Sequence, residues 1–125
     1  MKRFLMLSLI GICFQSCFQS ERNCQAFKTG KFSFTYIIDG KEQTDTFTRD
    51  ESIEIAISNG IKDTSGIRWI NDCEFIVRKL NPVSLSDQKA VHIKILSTTE
   101  NSYNFEYNIV GDQKNKQRGT ALKIE

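Results

Sequence analysis

A chain of 125 residues has room for one small domain and little more. One Pro, seven Gly and no low-complexity run exclude a disordered chain or a long linker between two domains. The formal net charge of +2 reflects Lys2 and Arg3; without them 15 basic residues face 15 acidic ones, which excludes the electrostatic footprint of a nucleic-acid binder.

The chain begins Met1-Lys2-Arg3, runs from Phe4 to Phe14 almost without a polar group, and then reads Gln15-Ser16-Cys17. A basic start, an apolar run of about ten residues and a small residue at the break are the parts of a secretory signal peptide, expected over 1–16. The run is too short for a mature membrane span, which needs about 20 residues. Ser16-Cys17 resembles a bacterial lipoprotein processing site, where the cysteine becomes the lipid-modified first residue. Lipidation at Cys17 would tie the protein to a membrane through its acyl chains. Ordinary cleavage near Ser16 or Ser20, with no lipid, is the alternative. Residues 17–25 then read as a tether and 26–125 as a single β domain.

Cys24 and Cys73 fall in the exported part, where thiols oxidise and disulfides persist. A bridge between them would close a loop of about 50 residues and contribute about 4 kcal/mol in the chain-entropy model. Two free, partly buried thiols are the alternative. Two cysteines and one histidine do not make a four-ligand zinc set, and no metal or cofactor is expected.

The periodicity of the domain is two rather than 3.6. Phe32, Phe34, Tyr36 and Ile38 alternate with Ser33, Thr35 and Ile37. Similar rows follow in Ile53-Ile55-Ile57, Phe75-Val77, Val91-Ile93-Ile95, Tyr103-Phe105-Tyr107-Ile109 and Leu122-Ile124. Each row points one set of side chains into a core and the intervening set towards water. Turn residues separate the rows: Asp39-Gly40, Arg49-Asp50, Asn59-Gly60, Asn71-Asp72, Glu100-Asn101 and Gly111-Asp112. Strands are expected over 31–38, 43–49, 51–58, 61–70, 73–80, 89–99, 102–110 and 117–124. The segment 43–49 is weakest, with three threonines and only Phe47 strongly apolar. Residues 81–88 form the one long connection, where Pro82 breaks any strand and Ser84 or Ser86 can open a helical turn.

The expected fold is all-β: an antiparallel up-and-down meander of about eight short strands, closed into a small barrel. A bent open sheet or a sandwich is the alternative. The inward set, able to fill the core or line a ligand, is Phe32, Phe34, Tyr36, Trp69, Phe75, Tyr103, Phe105 and Tyr107. That many rings within short strands suggest a mostly filled interior.

Two stretches, Cys24-Gln25-Ala26-Phe27-Lys28-Thr29-Gly30-Lys31-Phe32 and Trp69-Ile70-Asn71-Asp72-Cys73-Glu74-Phe75, resemble a group of small exported proteins of Gram-negative bacteria, often lipoproteins, with no established activity. The resemblance implies a location in the cell envelope and a Cys24–Cys73 pair. Some chains of this look carry the label of a DNA topoisomerase IV. An exported, neutral chain without a nucleotide-binding loop or a tyrosine-nucleophile domain does not support it. Gly30-Lys31-Phe32 and Arg118 are also similar to the first-strand motif and the barrel-closing arginine of lipocalin-like barrels. That likeness implies that Arg118 packs across the Phe32 ring.

Little in the sequence points to catalysis. His92, the only histidine, falls on a polar strand face beside Lys94, with no nucleophile or orienting carboxylate placed next to it. Asp50, Glu51, Glu54, Asp72 and Glu74 fall at turns and outward faces, where solvated charge is the ordinary role. Lys114, Lys116, Arg118 and Lys123 read as a solvated basic hairpin. Trp69 shares its face with Ile67 and reads as core. The expectation is a non-enzymatic envelope protein that binds a protein partner or a small apolar ligand. An inhibitor of a periplasmic lysozyme-type hydrolase is the alternative, and an enzyme of unrecognised type a further one.

Overall fold

The computed structural model describes residues 22–125. Eight strands follow in order: β1 (Gly30–Ile38), β2 (Lys41–Arg49), β3 (Ile53–Ser58), β4 (Ile61–Asn71), β5 (Glu74–Lys79), β6 (Val91–Thr98), β7 (Ser102–Ile109) and β8 (Gln117–Lys123). Each pairs antiparallel with the next, and β8 pairs with β1 to close the barrel. Closure removes the two edges that an open meander would leave unpaired. The only helical segments among the described residues are two 3₁₀ turns, Cys24–Phe27 and Ser86–Gln88. The second lies in the connection after Pro82, with the Ser84 hydroxyl accepting the Asp87 N–H. The expected signal peptide and Cys17 lie outside the described residues.

Hairpin chemistry fixes the register. Asp39 and Gly40 both have positive φ (51° and 75°), as do Asn59 and Gly60 (50° and 75°). These are two-residue turns whose twist matches that of the strands, and they set Ile38 opposite Lys41 and Ser58 opposite Ile61. Both turns lie at one end of the barrel, with the β5–β6 and β7–β8 connections. The other end carries the first 3₁₀ turn and the chain's C-terminus.

The second end is closed. Phe27, Phe32, Phe75, Ile95 and Tyr103 are almost wholly enclosed there. Tyr103 meets the Phe27 and Phe32 rings edge-on at 5.3 Å and 5.8 Å between centres. Cys24 and Cys73 form a disulfide that pins the 3₁₀ turn to the β4–β5 turn. Around it, Lys28 pairs with Asp72 at 3.0 Å and stands 4.9 Å above the Trp69 ring. Hydrogen bonds from Lys28 and Gln25 hold the Asp72 carboxyl below the usual carboxylate range. The Arg22 guanidinium donates to the Ile95 carbonyl, and the Asn23 N–H donates to the Thr98 hydroxyl. Residues 22–25, read from the sequence as tether, are therefore part of the packed domain.

Two strands have the opposite phase from the expected one. On β3, Glu54 and Ala56 face inward while Ile57 is half exposed. On β8, Ala121 is fully buried while Leu122, and Ile124 just beyond the strand, are exposed. On β3 the phase follows Glu54, whose carboxylate pairs with Arg49. On β8 the cause is volume: rings from β1 and β7 already occupy the space it faces, so it contributes small side chains there. Gly119 is the extreme case: a Cβ there would lie 2.6 Å from Phe34 and 2.8 Å from Phe105. Gly119→Ala is expected to drive those rings aside and cost about 1–3 kcal/mol, read as a lower urea midpoint. An unchanged midpoint would show that the rings have slack.

Candidate functional site

The interior divides into a filled half and an open half. In the open half a cavity of about 280 Å³ is walled by Phe34, Phe47, Ala56, Ile93, Phe105 and Tyr107. Asp45 lines the same cavity, and Arg49, Glu54 and Tyr103 lie at its deep end. From Asp45 to Arg49 is four residues of strand, a depth of roughly 13 Å. The expected mostly filled interior therefore holds for the closed half only.

The floor is a buried cation. Arg49 is the last residue of β2 and only 3% exposed, where the sequence suggested a turn position. Its Nε donates to Glu54 at 3.0 Å, one Nη to the Phe27 carbonyl at 2.9 Å, and the other to the Tyr103 hydroxyl at 2.9 Å. The guanidinium also lies 4.7 Å from the Phe75 ring centre and 5.1 Å from that of Phe32. Burial alone would lower its pKa, but Tyr103 and Glu54 outweigh it and the pKa is raised. Burial pushes the Tyr103 hydroxyl up, with Arg49 opposing. Tyr103 is un-ionised at neutral pH, so the balancing charge is Glu54. Glu54 is thus an inward ion-pair member and not the solvated outward carboxylate that the alternation suggested.

Nearer the mouth stands Asp45. The Tyr36 hydroxyl donates to one of its oxygens at 2.9 Å, and Gln43 Nε2 approaches the other at 3.4 Å. Gln43 is itself steadied by Ser58 at 3.2 Å. Both partners of Asp45 are neutral. At the rim, Lys79 bridges Asp63 and Asp87 at 2.9 Å and 3.3 Å. Exposed apolar side chains crown the same end, among them Ile37, Ile61, Val83, Leu85 and Val110.

Of the expected inward residues, Phe34, Phe105 and Tyr107 are cavity wall and Tyr103 is floor. Phe32, Phe75 and Trp69 belong to the closed half, Trp69 packing on Phe75 at 4.5 Å between ring centres. Tyr36 reaches the site through Asp45. Arg118 is on the outer face, three-quarters exposed and 3.6 Å from Glu106. The guanidinium over Phe32 is that of Arg49, because β8 presents Gly119 and Ala121 rather than Arg118 to the inside.

His92 is also outside, yet a carboxylate does accompany it: Glu74 lies 3.5 Å away. Among the described residues Glu74 is the one carboxylate within ion-pair distance of His92. Asp50 caps the turn that follows it, accepting the Ser52 and Ile53 N–H groups. Lys116 and Arg118 share Glu106, while Lys123 donates to the Ala26 carbonyl. Among the described residues no group of three His, Cys, Asp or Glu could hold a metal ion.

A wider depression, about 370 Å³, lies outside the barrel against β6, β7 and β8. Its polar groups already satisfy one another, Asn104 with Ser97 and Thr120 with Asn104. The inner cavity is the better site because it combines apolar walls with a carboxylate that has no charge partner among the described residues.

Sequence reasoning missed Asp45 and Arg49. The signal was available: Phe47 fixes the phase of β2, and the residues two positions either side of it are Asp45 and Arg49. Comparison of the chain with known protein families, curated proteins and solved structures finds no match.

Proposed function

We propose that this is a non-enzymatic binding protein of the bacterial envelope that holds a small apolar ligand in the open half of its barrel. The observation that carries the reading is the cavity of about 280 Å³, walled by aromatic rings and open at one end. Its size is near the lower end for small-molecule pockets, which run from about 300 Å³. Apolar walls provide affinity, and a few fixed polar groups provide orientation. Export follows from the reading of residues 1–16, and a lipid at Cys17 would anchor the chain. The disulfide is consistent with an oxidising compartment.

A protein partner, such as a periplasmic hydrolase to be inhibited, is the second reading. The exposed apolar side chains around the mouth favour it.

Uptake of N-phenyl-1-naphthylamine, a neutral dye that brightens in apolar surroundings, tests the first reading. One saturable site is expected. Ala56→Phe fills the cavity from β3 and is expected to reduce uptake at least about tenfold while the protein stays folded by circular dichroism. No saturable uptake, or uptake unchanged in folded Ala56→Phe, would reject the cavity as the site.

A further inference from the structure

Charge lining the cavity does not balance. Arg49 and Glu54 neutralise each other at the floor. Asp45 adds a second negative charge, and among the described residues no ion pair reaches it. It is half buried, and it directly faces Phe34 across the β1–β2 ladder. Carboxylates in such surroundings are ordinarily paired with a cation. Here the neighbouring donors are a phenol and an amide, which fix its orientation and leave its charge standing.

The walls complement that charge. Phe34, Phe105 and Tyr107 form a continuous aromatic surface, with ring centres 5.6 Å and 5.7 Å apart. Aromatic faces attract cations, and do so more strongly where water is excluded. A carboxylate held rigidly among rings is a receptor for an organic cation. The same site penalises an anion by repulsion and gives a neutral isostere only hydrophobic and neutral hydrogen-bond contacts.

We propose that the cavity selects an apolar molecule bearing one positive charge, such as a protonated amine, seated with that charge beside Asp45 and its apolar part against Phe34, Phe105 and Tyr107. This rests on the reading of the cavity as a ligand site. Arg49 then serves a second purpose. By neutralising Glu54 it leaves one net negative charge in the cavity, which matches a monocation.

The test compares three isosteric probes, 2-phenylethylamine, 2-phenylethanol and phenylacetate, as competitors of the naphthyl dye at neutral pH. The amine is expected to displace dye at a concentration at least about tenfold lower than the alcohol, and phenylacetate to compete least. In Asp45→Asn the amine and alcohol are expected to become equal while dye uptake persists. Equal competition by amine and alcohol in the unmodified protein, or a preference unchanged in Asp45→Asn, would overturn the cation assignment and leave the apolar cavity standing. Absence of dye uptake together with absence of any probe binding would overturn both. The comparison in the unmodified protein decides the matter even where Asp45→Asn fails to fold.

Discussion

Arg49→Met is expected to cost about 3–5 kcal/mol of folding free energy, the range for removing one partner of a buried ion pair. The loss has several parts. Glu54 keeps a charge with no partner, and the Phe27 carbonyl and Tyr103 hydroxyl each lose a hydrogen bond at the buried floor. Urea unfolding monitored by circular dichroism measures it. Removing the carboxylate as well, in Arg49→Met with Glu54→Leu, is expected to recover a large share, since a buried pair replaced by apolar groups is often near neutral. A loss below about 1 kcal/mol for Arg49→Met alone, the range of an exposed pair, would mean that water reaches the floor.

Breaking the Cys24–Cys73 bond is the second large effect. The cysteines are 49 positions apart, and the chain-entropy model assigns such a loop about 4 kcal/mol. Cys24→Ala with Cys73→Ala, or reduction of the unmodified protein, is expected to lower the urea midpoint accordingly. The loss is not confined to the unfolded chain. Without the bond, the 3₁₀ turn keeps its hydrogen bonds from Arg49 and Lys123 but loses its covalent hold on the β4–β5 turn. A midpoint that ignores reductant would show that packing of Phe27 alone retains the turn.

Much of this architecture is legible in the residues. Asp39-Gly40 and Asn59-Gly60 specify tight hairpins, and the aromatic rows of β1 and β7 set their own phase. All eight strands lie where alternation and turn residues place them, within about two residues at either end. What alternation could not give was the inward face of β3 and β8. A single strand shows only that its two faces differ. Ile53, Ile55 and Ile57 make the more hydrophobic face, yet Glu54 is the residue that meets Arg49 inside the barrel, and its phase carries Ala56 inward beside Phe47. That requirement arises between strands and leaves no mark within one.

The candidate site was hidden for a related reason. Asp45 and Arg49 are polar residues on an inward face, so a rule that assigns charge to water passes over them. Their meaning depends on partners in other strands: Tyr36 across the β1–β2 hairpin, Glu54 across the β2–β3 hairpin, and Tyr103, which is 54 positions from Arg49 and meets it only in the folded barrel. The mixed strand that hydrophobicity ranks last carries the chemistry of the cavity.

The stitch between Cys24 and Cys73 also decides how the protein bears mechanical load. A pull on the chain ahead of Arg22 would, without it, travel straight into β1. That strand matches β8 at three positions, against nine with β2, so the seam with β8 would unzip first. With it, tension leaves the backbone at Cys24 and enters the hairpin of β4 and β5, which is matched at six positions. A tug from the leading end therefore spares the weakest join, and the mouth at the far end keeps its shape under strain.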